Sequence, residues 1–154
     1  MFLLFRTLLC WYFTISQQSG FVLANSAWCY IISEQTGLVL DIKGGRKTGD
    51  LIMNSIISGR PSQLWRFDRS GAIRNRMGSV VDIYQANKNQ GTKLIAYPYH
   101  GGRNQKWVVG RNYTISRLNG MLMDVYQART KKGTKVIVWP KHGSKNQRWK
   151  NYCP

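Results

Sequence analysis

The sequence predicts an all-β fold, a β-trefoil of three repeats of about 42 residues with twelve short strands in pseudo-threefold symmetry. Three observations predict it. Asp41, Asp82 and Asp124 recur at near-equal spacing, as do Gln63, Gln105 and Gln147. Each glutamine is followed two residues later by a tryptophan, Trp65, Trp107 or Trp149. Between these markers lie short apolar runs: AIRNR, VVDIY, KLIAYP and KWVVG in the second unit, YTISR, LMDVY, KVIVWP and RWKNY in the third. Runs of this length, broken by Gly, Asn, Lys or Pro, are strands joined by turns, and no stretch shows helical periodicity. Twelve strands in three copies must hide their edges. A propeller needs at least four blades, so threefold closure is the natural solution.

From the amino end, residues 1–24 stand outside the repeats. MFLLFR and TLLCWYFTI give a weakly basic start and an apolar core too short to span a bilayer comfortably, before polar SQQSG. The segment reads as a signal peptide cut after Ala24, with Ser16 and Gly20 as alternative cut points, and 25–154 as the secreted domain. A retained anchor helix is the competing reading. Cleavage removes Cys10 and leaves Cys29 and Cys153 at the two ends of the body. In an oxidising compartment that pair is expected as a disulfide, because a closed threefold fold brings its first and last strands together. Two free thiols are the alternative, since neither cysteine has the close second ligand that zinc requires.

The three repeat units follow, and their charge is lopsided. The chain carries 23 Lys+Arg against 6 Asp+Glu, a formal +17, which attracts polyanions. Lys131, Lys132, Lys135, Lys141, Lys145, Arg148 and Lys150 crowd into the last unit. No catalytic Ser/His/Asp or Cys/His set, metal-ligand cluster or phosphate-cradling glycine loop is present, so the reading includes no enzyme activity, metal or cofactor. It includes no dedicated nucleic-acid motif either. In each unit the tryptophan is expected in a shared core, with the neighbouring glutamine satisfying buried backbone groups. The aspartates take half of all acidic residues. Such a carboxylate either accepts hydrogen bonds from a ligand's adjacent hydroxyls or stabilises a turn.

With Gln-x-Trp three times in register with Leu40-Asp41-Ile42, Val81-Asp82-Ile83 and Met123-Asp124-Val125, the chain resembles the ricin B-type lectins over about residues 28–152. The resemblance implies a β-trefoil that binds sugars, commonly galactose or N-acetylgalactosamine, at up to three shallow sites, with glycans of cell surfaces or glycoproteins as partners. It implies that Tyr97 and Trp139, fifteen residues after their aspartates, stack on the sugar, and that Asn104 and Asn146 bind a ring hydroxyl. Ordinary edge packing is the other role open to the two rings. Asp82, Tyr97, Asn104 and Asp124, Trp139, Asn146 are thus two complete sets. The first unit has Asp41 but places Ser55 at the ring position and Ser62 at the amide position, so two working sites are expected. Ile95 and Ile137 stand where some members of the family carry a polar ligand, which leaves the choice of sugar open. His100 and His142 either line the sites or are exposed loop residues. Asn112-Tyr113-Thr114 is an N-glycosylation sequon. Two further readings remain beside the lectin: a binder of anionic polysaccharide or nucleic acid through the basic face, and the carbohydrate-targeting piece of a larger glycosidase or toxin.

Overall fold

Twelve strands and no α-helix form over residues 27–154, the part of the chain that the computed structural model describes. The expected signal peptide lies outside the described residues. Each unit contributes four strands. The first unit supplies β1 (Tyr30–Ser33), β2 (Val39–Ile42), β3 (Gly49–Asn54) and β4 (Trp65–Phe67). The second supplies β5 (Ile73–Asn75), β6 (Val80–Ile83), β7 (Leu94–Tyr97) and β8 (Trp107–Val109). The third supplies β9 (Thr114–Ser116), β10 (Leu122–Val125), β11 (Val136–Trp139) and β12 (Trp149–Tyr152).

All ladders are antiparallel, and two kinds alternate. The middle strands of each unit fold into hairpins, β2 with β3, β6 with β7 and β10 with β11. The outer strands link neighbouring units, β4 with β5 and β8 with β9, and β12 returns to pair β1 from Tyr30↔Tyr152 to Ser33↔Trp149. That last pairing removes the open edges that a linear run of strands would expose. The three hairpins meet one another at Asp50↔Ile95, Lys93↔Ile137 and Ile52↔Lys135. A disulfide joins Cys29 to Cys153 beside the β1–β12 seam, with their Cα atoms 4.1 Å apart.

The repeated residues explain the closure. Trp65, Trp107 and Trp149 are buried among Leu40, Ile42, Met53, Ile83, Val125 and Val138. A buried indole must place its N–H, and each donates to a strand carbonyl at 3.1 Å, of Leu40, Val81 or Met123. The glutamines clamp the loop after the third strand of each unit. Gln63, Gln105 and Gln147 accept from the backbone N–H of Ile57, His100 and His142. Their amide nitrogens donate to the carbonyls of Ser55, Pro98 and Pro140, each at 2.9 Å. A side-chain amide thereby satisfies backbone that no strand partner reaches.

Candidate functional site

Asp82 and Asp124 sit in the middle of β6 and β10, where all four residues of each strand are buried. Alternation sends their neighbours into the core and the carboxylates to the opposite face. Each is only 2 % exposed and is held by amides. Asp82 Oδ1 accepts from Asn104 Nδ2 at 2.9 Å, and Oδ2 accepts from Gln105 Nε2 at 2.7 Å. Asp124 Oδ1 accepts from Asn146 Nδ2 at 2.9 Å. Burial pushes both carboxyls above the ordinary carboxylate value, against these bonds and the nearby histidines, which pull the other way.

The histidines belong to the sites. His142 Nε2 lies 3.1 Å from Asp124 Oδ2, and His100 Nε2 lies 3.4 Å from Asp82 Oδ2. On the far side of each ring Nδ1 accepts a backbone N–H, from Ser144 at 3.4 Å and Gly102 at 3.2 Å. That contact orients each ring so that Nε2 faces its carboxylate.

Around each carboxylate the hairpin builds a concave surface. Tyr97 and Trp139 end β7 and β11, directly opposite Val80 and Leu122. Tyr97 is 48 % exposed and Trp139 is half-buried, so both offer a ring face to solvent. Ile95 and Ile137 pair with Asp82 and Asp124 and line the pockets between carboxylate and ring. The cavities measure about 350 Å³ in the second unit and about 520 Å³ in the third. Asn146 lines the larger one, and its buried Oδ1 has no hydrogen-bond partner in the protein.

The opposite wall was not among the residues singled out from the sequence. It consists of Tyr84-Gln85-Ala86 in one pocket and Tyr126-Gln127-Ala128 in the other. Gln85, Ala86, Gln127 and Ala128 all adopt left-handed backbone, with φ between 50° and 53°. Non-glycine residues rarely sit there, and strain of this kind gathers at functional sites. The available signal was the identical tripeptide placed directly after both Asp strands, against Lys43-Gly44-Gly45 in the first unit.

The first unit departs further from the pattern than the sequence suggested. Its pairing register puts Asn54 opposite Val39, so Asn54, and not Ser55, holds the place of Tyr97 and Trp139. Ser55 corresponds to Pro98 and Pro140, as the glutamine clamp confirms. Asn54 turns inwards and donates to Asp41 Oδ2 at 3.0 Å, where Gln63 also donates at 3.0 Å. Asp41 therefore anchors side-chain amides within the hairpin instead of holding a turn. Ser62, at the amide position, leaves its hydroxyl and Asp41 Oδ1 buried without partners. Arg60 covers Gly45, counterpart of Ala86 and Ala128, so closely that a Cβ would lie 2.5 Å from its Nη2. Asn112 is half-buried in the β8–β9 loop, its carbonyl bonded by Trp149 N–H, with Thr114 buried in β9. Among the described residues no helix is long and apolar enough to cross a membrane.

The fold has known counterparts. A designed threefold-symmetric protein, ThreeFoil, is 28 % identical, with a TM-score of 0.74 over 82 % of this chain and 99 % of that one. The C-half of an earthworm R-type lectin in complex with GalNAc is 23 % identical, with a TM-score of 0.74 over 83 % of this chain and 99 % of its own. An exo-β-1,3-galactanase from Clostridium thermocellum is 29 % identical, with a TM-score of 0.75 over 84 % of this chain but 31 % of its own. No curated protein sequence matches the chain. The model of the ricin-type β-trefoil lectin domain matches residues 27–149, and the chain belongs to that family.

Proposed function

We propose that this chain is a secreted lectin that binds galactose- or N-acetylgalactosamine-type glycans through two shallow sites, one in the second unit and one in the third. The observation that carries the reading is the duplicate arrangement of a buried, amide-held carboxylate facing an exposed ring across an apolar strip. A sugar presents adjacent hydroxyls on one edge and a patch of C–H groups on one face. Asp82 and Asp124 accept from the hydroxyls, and charge-assisted bonds of this kind are the stronger ones. Tyr97 and Trp139 cover the C–H face. The unpartnered Oδ1 of Asn146 takes a further hydroxyl proton. The earthworm relative complexed with GalNAc supports the sugar class. In this reading the first unit binds no sugar, because Asn54 and Arg60 occupy its ring face and wall. The protein then holds glycans without transforming them. A glycan array probed at low and high salt tests the proposal. Binding of terminal galactose or GalNAc that persists in high salt is expected. Binding to polyanions alone, lost as salt rises, would replace this reading with the basic face around Lys131 and Lys141.

A further inference from the structure

The two pockets share an Asp–Ile–ring–Asn lining but differ at their mouths. In the third unit the Tyr126 ring is met by two cations, Lys135 Nζ at 4.3 Å and the Arg129 guanidinium at 5.2 Å from its centroid. Arg129 is also tied down, since its Nη2 donates to Gln127 Oε1 at 2.7 Å. Tyr126 and Gln127 both line the pocket, so the guanidinium contacts two residues of its wall. In the second unit Tyr84 meets one cation, Lys93 at 4.8 Å, and that lysine is bonded to Asp50 at 2.8 Å. The place of Arg129 is taken there by Asn87.

Among the described residues neither Arg129 nor Lys135 is paired with a carboxylate. After Asp82 the chain has one acidic side chain, Asp124, and it lies on the pocket floor bonded to Asn146. Here two repelling cations converge on one ring beside a cavity, and one is held there by a side-chain bond. Such an arrangement is completed by an anion, which a guanidinium engages through paired N–H groups.

We propose that the third-unit pocket selects sugars bearing a negatively charged substituent, a sulfate or a carboxylate, which Arg129 and Lys135 engage, while the second-unit pocket takes neutral sugars. The inference rests on the lectin reading above and adds to it a division of labour between the sites.

The test is calorimetry on the Asp82→Ala/Tyr97→Ala protein, which retains the third-unit site. The probes are methyl galactoside, its 3-, 4- and 6-sulfates, and galacturonic acid, with inorganic sulfate as control. At least one charged sugar is expected to bind about tenfold or more tightly than the neutral one, the gain shrinking as salt rises. The sulfates and galacturonic acid separate the two kinds of anion. Arg129→Gln/Lys135→Gln should erase the gain and leave neutral-sugar affinity in place. Equal or weaker binding of every charged sugar overturns the inference alone, because the neutral sugar still reports a working site. A gain that survives Arg129→Gln/Lys135→Gln or Asp124→Ala, or that inorganic sulfate reproduces unaided, also overturns it. Binding of no sugar at all removes both this inference and the lectin reading.

Discussion

A carboxylate with 2 % of its surface in contact with solvent is disfavoured as an ion, and the amides around Asp82 and Asp124 offset only part of that. Substitutions and pH both test this burial. Asp124→Ala with Trp139→Ala should silence the third unit, and Asp82→Ala with Tyr97→Ala the second. Each lost charge-assisted bond costs about 1.5–3 kcal/mol, enough to hide an already weak site. Calorimetry reads the loss, and near-UV dichroism checks folding. Asp41→Ala should leave the number of sites unchanged and lower stability by about 1–3 kcal/mol, because Gln63 and Asn54 lose their acceptor. The second prediction concerns pH. Burial raises the folded-state pKa of Asp82 and Asp124, so on acidification the folded chain takes up these protons before the unfolded chain does. Their contribution to stability therefore rises as pH falls through the folded pKa. Sugar binding moves the opposite way, since a protonated carboxyl loses an acceptor. Affinity should fall with a midpoint above the ordinary value of about 3.9, while the melting temperature holds or rises in that window. A loss of affinity that tracks unfolding would contradict this.

The hairpins of the second and third units each carry their own strain. Left-handed backbone costs a non-glycine residue roughly 1–2 kcal/mol, and the Gln-Ala pairs hold it twice in succession in the second and third units. Gln127→Gly is expected to stabilise the protein by about 0.5–1 kcal/mol once the greater freedom of glycine in the unfolded chain is discounted. Gly45→Ala should destabilise it, because φ is +65° there and alanine adopts that backbone only under strain. Thermal melts of the two variants should shift in opposite directions. What the sequence made legible divides along the same lines. The strands of all three units and the Asp–ring–Asn sets could be read because tryptophan, glutamine and aspartate repeat at fixed spacing. The ring position of the first unit could not. Its β2–β3 hairpin is two residues shorter than the others from Asp to ring and one longer from ring to Gln, so a count of net length points to Ser55, and only the Val39↔Asn54 register shows Asn54. The Tyr-Gln-Ala wall escaped for another reason. Glutamine and alanine give no sign of positive φ, which here is imposed by the hairpin and not by the residue type.

Over the whole body, the ring of strands is closed by hydrogen bonds at β1–β12 and again by the Cys29–Cys153 disulfide, which spans 124 residues of sequence. A cross-link over so long a loop removes much of the freedom of the unfolded chain, about 4–5 kcal/mol in the chain-entropy account. Non-reducing mass spectrometry should find a mass lower by two hydrogens than that of the reduced protein, and reduction should lower the melting temperature substantially. Freely alkylated thiols in the native protein would contradict the bond. Each proposed sugar site has one ring and a few hydrogen bonds, which suggests dissociation constants of order 0.1–1 mM. Two such sites on one rigid body should raise retention on a multivalent glycan surface by roughly a hundredfold. Surface binding by a variant with one site silenced, compared with the parent, measures that factor. The contact between Asp41 and Gln63 carries a lesson about descent. A repeat without the ring and the amide still uses its aspartate to anchor the glutamine that ties down its loop. Under drift, ligand recognition can therefore disappear from a unit while the acidic residue persists. Counting aspartates therefore counts repeats, whereas counting complete Asp–ring–Asn sets counts the candidate sites.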